Sequence, residues 1–512
     1  MITDKNYFSS AFICMSTINK KFSLLSAIFL EVLLFVFAVS AQEIEANIKI
    51  KSSPTIVSVE GKFLKENPVE SGKNWSFVNS LAVAENLGAR VSDLSLSDKN
   101  GGAIVFKKFI DGEYLAETRA NSWSYQINLN SLSSVAAMAH VSWVSDEQGI
   151  LMLGDLLPQL KAANNQPISA KIKIELPEEW KIISSEKRLG GNSFFVSNVE
   201  KAIFLVGKNW REKEISIDKT SLNFAVSGEW NFSDDEAFKM TGDIFGEYRK
   251  LFGEAPTEKA QISLVRFPKQ TKFGRWEAET RGANLIVLSS DMPFKTLSLQ
   301  RLHEQLRHEI FHLWIPNNLA LTGNYDWFYE GFTVYQSLKT GLQTNQIRFE
   351  DFLATLSEAY NIDNLQTQKV SLIEASKNRW NGANPQVYSR GMIAAFLCDV
   401  ALLRASKGKR AISDVFREIY NKHRVSNESQ DGNQAILKIL ENYDELRPIA
   451  EKYIRGAGKI DWQTDLESAG IEATEINSFT KLAVKAKLDN RQKNLLDYLG
   501  YNNWRKIAQK VK

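Results

Sequence analysis

Residues 297–314 read LSLQRLHEQLRHEIFHLW, and the interpretation of the whole chain turns on this stretch. Leu297, Leu299, Leu302 and Leu306 recur with helical spacing, and no helix breaker interrupts them. On a helix, His308 and His312 stand four residues apart and project from one face, about 40° from each other around the axis. Two imidazoles so placed can share one zinc ion, each at about 2.0–2.1 Å. Glu309 lies about one-third of a turn from His308, within reach of a metal-bound water without being a ligand itself. The chain has only five histidines, which makes an accidental HExxH less frequent than in a histidine-rich protein. The competing reading is an amphipathic helix carrying two ordinary histidines. His303 begins the same pattern, but Arg307 occupies the place of its second histidine, so His303 is read as structural.

A catalytic zinc takes three protein ligands and leaves the fourth position open. A third histidine six residues after His312 would suit a metzincin, but that position is Asn318. Between His312 and Glu350 the acidic residues are Asp326 and Glu330. Glu330 is the better candidate, because it sits in the aromatic run Trp327-Phe328-Tyr329-Glu330-Gly331-Phe332, where an unpaired carboxylate would be costly. Pro316 is expected to end the first helix, and Asn317, Asn318, Gly323 and Asn324 supply a turn before a second one. The bland alternative for Glu330 is a surface carboxylate.

HExxH followed by Trp327-x-x-Glu330-Gly331-Phe332-x-x-Tyr335 resembles the gluzincin metallopeptidases, specifically the glycyl aminopeptidase family and its relative, the aminopeptidase N family. The resemblance implies that Glu330 is the third zinc ligand. The spacer from Leu313 to Tyr329 is one residue shorter than the usual aminopeptidase N spacer, a difference its Asn/Gly/Pro stretch can absorb. Downstream, Val387-Tyr388-Ser389-Arg390-Gly391 resembles the Y-x-K-G segment of both families, with arginine in place of lysine. Tyr388 is then the donor to the tetrahedral oxyanion. Ser371-Leu372-Ile373-Glu374 through Trp380 is similar to a further block of the glycyl aminopeptidases. The glutamate that reads a substrate's free amine falls on Glu279, with Glu277 in reserve. Neither keeps the G-G-L-E-H or G-A-M-E-N form of these families, which leaves amino-terminal specificity open.

The chain's 512 residues suffice for two or three domains. Lys20-Lys21, an apolar run over 22–39 and the closing Val39-Ser40-Ala41 have the pattern of a secretory signal peptide over 1–41. Glu31 inside that run would cost roughly 2.5–3.5 kcal/mol at a bilayer centre, which argues against a permanent membrane anchor. Net charge is +3 and changes by one unit when 1–41 is removed, so charge offers no case for nucleic-acid binding. Cys14 would leave with the signal, and Cys398 alone cannot form an internal disulfide, which suits a bacterial periplasm or exterior.

Alternating runs such as Ala170-Lys171-Ile172-Lys173-Ile174 predict a β-rich N-terminal domain over 42–217. Longer helical patterns predict a mainly α-helical domain over 218–462, giving a multidomain α+β chain, and the resemblance implies that this domain is thermolysin-like and catalytic. The remainder, 463–512, reads as a short helical tail with no PDZ domain, although glycyl aminopeptidases usually carry one. The leading expectation is an exported peptidase with one Zn2+ per chain, most plainly an aminopeptidase, in which Glu309 moves the proton. Its rivals are an endopeptidase on the same scaffold and a zinc-containing peptide-binding protein without chemistry.

Overall fold

The computed structural model describes residues 44–51, 55–64, 73–132, 134–160, 167–424 and 429–505. The expected signal segment, 1–41, lies outside the described residues. Strict alternation builds the first sheet: Ile44, Ala46, Ile48 and Ile50 of strand Ile44–Ile50 are buried and the residues between them are not. That strand pairs antiparallel with Ile56–Phe63 and parallel with Ala170–Glu175, in register Ile48 to Ile174. They form the middle of a seven-stranded sheet. A four-stranded sheet, with Gln148–Met152 and Ile203–Gly207 at its centre, stands beside it.

The second half is organised on a five-stranded sheet of β1 (Arg211–Ile217), β2 (Thr220–Val226), β3 (Lys259–Arg266), β4 (Trp276–Arg281) and β5 (Asn284–Ser289), in spatial order β1-β2-β3-β5-β4. The expected boundary at 217/218 falls in the hairpin turn joining β1 and β2. Strand β1 therefore goes with the helical unit, because its ladder partners are there. One face of this sheet, with Phe224, Ile262, Leu264 and Val287, packs against the helices. The other face, with Ala225, Val265, Ile286 and Leu288, shares an apolar cluster with Trp143, Ile150 and Leu205 of the four-stranded sheet. The β-rich region is thus anchored to the back of the five-stranded sheet.

Helix α1 (Asp234–Phe252) starts at a capping box, Ser233 with Glu236, and stops at Gly253 with φ 86°. Helix α2 (Lys295–Phe311) carries the HExxH segment alongside the edge strand β4. Helices α3 (Thr333–Gln343), α4 (Phe349–Leu365) and α5 (Asn384–Ser406) contribute to the same core, as do helices Ile412–His423 and Gly432–Leu440. Among the described residues, α5 is the one helix long and apolar enough to cross a membrane, yet 94% of that apolar window is buried inside the protein. It is the central core helix, and Cys398 on it is a buried free thiol whose pKa burial pushes up.

The tail differs from the purely helical expectation. Residues Ile471–Ile476 and Phe479–Val484 form a hairpin whose turn, Asn477-Ser478, has φ of 50° and 67°, the left-handed pair that matches strand twist. Asn361 of α4 donates to Thr480 O at 2.9 Å and accepts from its N–H at 2.8 Å. Helix α6 (Asn490–Leu499) then buries Leu495, Leu496 and Leu499 in the core of the helical half. Leu496→Ala is therefore expected to destabilise the whole protein by about 2–5 kcal/mol, as deletion of a packed core leucine does. Urea unfolding measures it, and a midpoint unchanged from wild type would show the tail to be independent.

Candidate active site

Helix α2 ends at Phe311, earlier than Pro316, because residues 312–318 take up tighter turns. His312 keeps right-handed helical angles, φ −64° and ψ −16°, so the four-residue geometry survives the helix end. Its Nδ1–H donates to Ile315 O at 2.9 Å, which aims Nε2 at the site. The two histidines are buried with their rings nearly perpendicular, at 88°.

Glu330 arrives on a π-helical turn, Trp327–Phe332, that leads into α3. Ordinary α geometry was expected here; at this wider turn the backbone instead approaches α5 closely. A Cβ on Gly331 would lie 2.5 Å from Val387 O and 2.6 Å from Gly391 Cα, and one on Gly391 would lie 2.9 Å from Gly331 Cα. Only two glycines permit this contact, and it brings Tyr388 to Glu330, with the phenol donating to Glu330 Oε2 at 2.8 Å.

The donor atoms converge. His308 Nε2 and His312 Nε2 are 3.2 Å apart, and Glu330 Oε2 lies 3.1 Å from the first and 3.6 Å from the second. Tetrahedral ligands at 2.0–2.2 Å from one ion stand about 3.4 Å from each other, so this triangle has the size a zinc site needs. Glu309 also has an oxygen near both histidines, but at 4.0 Å from His308 Nε2 it stands farther off than Glu330. Its Oε2 accepts from Thr280 Oγ1 at 3.2 Å. Burial raises the Glu309 pKa despite the pull of the neighbouring histidines.

A residue without an assigned role in the sequence reading ties these groups together. Arg379 donates to Asp326 Oδ1 at 2.9 Å, to Glu330 Oε1 at 3.0 Å and to Tyr388 Oη at 2.8 Å. Burial alone would raise the Glu330 pKa; Arg379, followed by the histidines, reverses this and holds it well below the carboxylate range. Burial and the Glu330 charge push Tyr388 well above its ordinary value, keeping it a hydroxyl donor. Arg379 lies within the 371–380 block, which was the available sequence signal. Arg390, by contrast, points away from this centre: it is fully buried, 3.4 Å from Asp363, and donates to Gly458 O at 2.5 Å.

Strand β4 divides its side chains by alternation. Thr280 reaches Glu309, and the Trp276 ring lies edge-on to His308 with centroids 6.4 Å apart. Asn317 joins strand to zinc loop, donating to Thr280 O at 3.0 Å and His312 O at 3.1 Å. On the alternate positions, Glu277 pairs with Arg275, and Glu279 accepts from Arg281 Nε at 2.9 Å and pairs with His140. His140, 139 residues earlier in the chain, left no local sequence signal. Burial would raise Glu279, but Arg281 and His140 bring it down to about 2. All these groups border one cleft of about 1790 Å³.

Two expectations follow. Gly331→Ala should force the π turn from α5 and weaken zinc affinity about 10–100-fold, as loss of ligand-orienting contacts does; chelator competition measures this, and unchanged affinity would refute it. Because the folded Glu279 pKa lies below its ordinary 4.5, its stabilising contribution is present above about pH 4.5 and fades as pH falls towards 2. The stability gap between wild type and Glu279→Gln should therefore shrink over that window in urea titrations, and a gap that widened would contradict the pairing.

No protein-family profile matches the chain, and no curated protein sequence matches it. Solved structures do. An aminopeptidase N family protein from Idiomarina loihiensis superposes with TM-score 0.72 at 15% identity, covering 88% of this chain and 82% of its own. An M1 zinc metallopeptidase from Deinococcus radiodurans matches with TM-score 0.50 at 12% identity, covering 82% and 94%. A two-domain M1 zinc metallopeptidase variant bound to L-tryptophan matches with the same score, identity and coverage. The β-rich first half, the helical second half and the placement of the HExxH helix together give this chain the fold of the M1 gluzincin zinc metallopeptidases.

Proposed function

We propose that this protein is a zinc-dependent peptidase that hydrolyses peptide bonds, with one zinc per chain held by His308, His312 and Glu330. The observation that carries this is the triangle of ligand atoms, 3.1–3.6 Å on a side, with Glu309 and Tyr388 beside it. When bound, zinc would lower the pKa of a water towards about 7 and polarise a carbonyl. Glu309, buried and held by Thr280, takes the proton of the attacking water and delivers it to the leaving amine. Tyr388, kept protonated, donates its O–H to the developing oxyanion. Arg379 keeps Glu330 ionised and fixes the phenol. Export is part of this reading and rests on the signal pattern of residues 1–41.

At the finer level the protein is read as an aminopeptidase, with Glu279 as the anion beside the cleft that meets a substrate ammonium. The relative solved with L-tryptophan supports ligands built from amino acids. One observation favours a second reading, an endopeptidase: Arg281 already pairs with Glu279, which reduces its pull on a free amine. Matched peptides with free and acetylated amino termini decide between them. Faster cleavage of the free form is the aminopeptidase outcome, and faster cleavage of the acetylated form defeats it.

Glu309→Gln is expected to abolish turnover while zinc content stays at wild-type level, and Glu330→Ala to lose the metal. Tyr388→Phe should lower kcat about 100–1000-fold, the usual effect of removing one oxyanion donor. Full peptidase activity in Glu309→Gln would overturn the mechanism.

A further inference from the structure

Arg307, one residue before the first zinc-binding histidine, is only 2% exposed, yet it lines the catalytic cleft. Among the described residues its guanidinium has no ion pair, and its Nε has no hydrogen-bond partner. The charge of Glu304 acts on Arg307 from a distance, but its direct ion pair is with Arg301 at 2.6 Å, and Asp351, which borders the same cleft, pairs with Arg348 at 2.8 Å. One turn earlier on the same face of α2, His303 is also buried, and its Nδ1 also lacks a partner. Gly341 on α3 makes room for this arrangement, since a Cβ there would land on the Arg307 guanidinium.

A buried cation without a counter-charge is costly, and such a group is nearly always paired in a folded protein. Arg307 faces a cleft instead of packing into apolar core, so the missing partner can come from a bound molecule. We infer that Arg307, assisted by His303, forms a subsite of the cleft that binds a carboxylate of the substrate. A guanidinium matches a carboxylate through two parallel N–H donors, and the neutral imidazole tautomer bearing Nδ1–H adds a third. The carboxylate belongs either to an acidic side chain or to the peptide's C-terminus. This inference rests on the peptidase reading for its substrate class, but its geometry stands apart from the metal ligands.

The test compares peptides of one sequence with the zinc-loaded full-length protein: a neutral parent with a C-terminal carboxamide, the same peptide with a free C-terminal carboxylate, and carboxamide versions with Glu replacing Gln at each position in turn. One carboxylate-bearing form is expected to exceed the parent about 10–100-fold in kcat/KM, the effect of one charge-assisted pair. Whichever arm shows the gain identifies the carboxylate's source. Arg307→Met should bring that ratio close to one, and Arg307→Lys should keep part of it. Equal rates across the wild-type series overturn the inference without recourse to any variant, as does a full preference retained in folded Arg307→Met. If no peptide is cleaved, the peptidase reading fails by itself. Calorimetric binding of the same series to zinc-loaded Glu309→Gln then decides the subsite: a carboxylate preference supports it and equal affinities overturn it.

Discussion

A carboxylate buried among aromatic rings must be paid for by charge, and at Glu330 that requirement organises the second half of the molecule. Its oxygens accept from Arg379 and Tyr388 and lie beside two imidazoles. Arg379 is itself shared with Asp326 and spread over the Trp380 and Tyr388 rings, 4.6 and 5.4 Å from their centroids. Removing one partner would strand a buried charge, which is why the helices, the π turn and the 371–380 segment have to meet in one arrangement. The contact between Gly331 and Gly391 provides the space in which they do so.

The five-stranded sheet extends the same centre along the cleft. Its edge strand β4 sends Thr280 to Glu309 and sets Glu279 and Arg281 at the cleft. Because the opposite face of the sheet is fused to the β-rich region through one apolar cluster, His140 from that region can reach the cleft wall. The β-rich region is thus part of the cleft wall as well as a support. Arg307 of α2 borders the same cleft, and among the described residues its Nε has no hydrogen-bond partner.

The sequence was most legible where local spacing is the physics. A four-residue interval on a helix places two imidazoles together whatever surrounds them, so His308 and His312 could be read with Glu309. Glu330 and Tyr388 could be read because their flanking glycines and aromatic residues form recognisable strings. Arg379 was visible as a letter in a motif without a role, and Arg390 was visible but lies in the core, paired with Asp363. The hairpin within the tail was missed because the leucines of 482–499 suggest a helix, whereas the Asn477-Ser478 turn and its strand partner favour sheet.

By itself, the sequence determined the α+β division and the helix that brings His308, Glu309 and His312 together, since each depends on residues near one another in the chain. Only the tertiary structure decided that Glu330 rides a π turn, that Arg379 holds it ionised, that His140 and Arg281 share Glu279, and that the Arg307 Nε finds no hydrogen-bond partner among the described residues. Those facts depend on which distant backbones approach closely enough to exclude water. Spacing along a chain does not encode that distance; packing does.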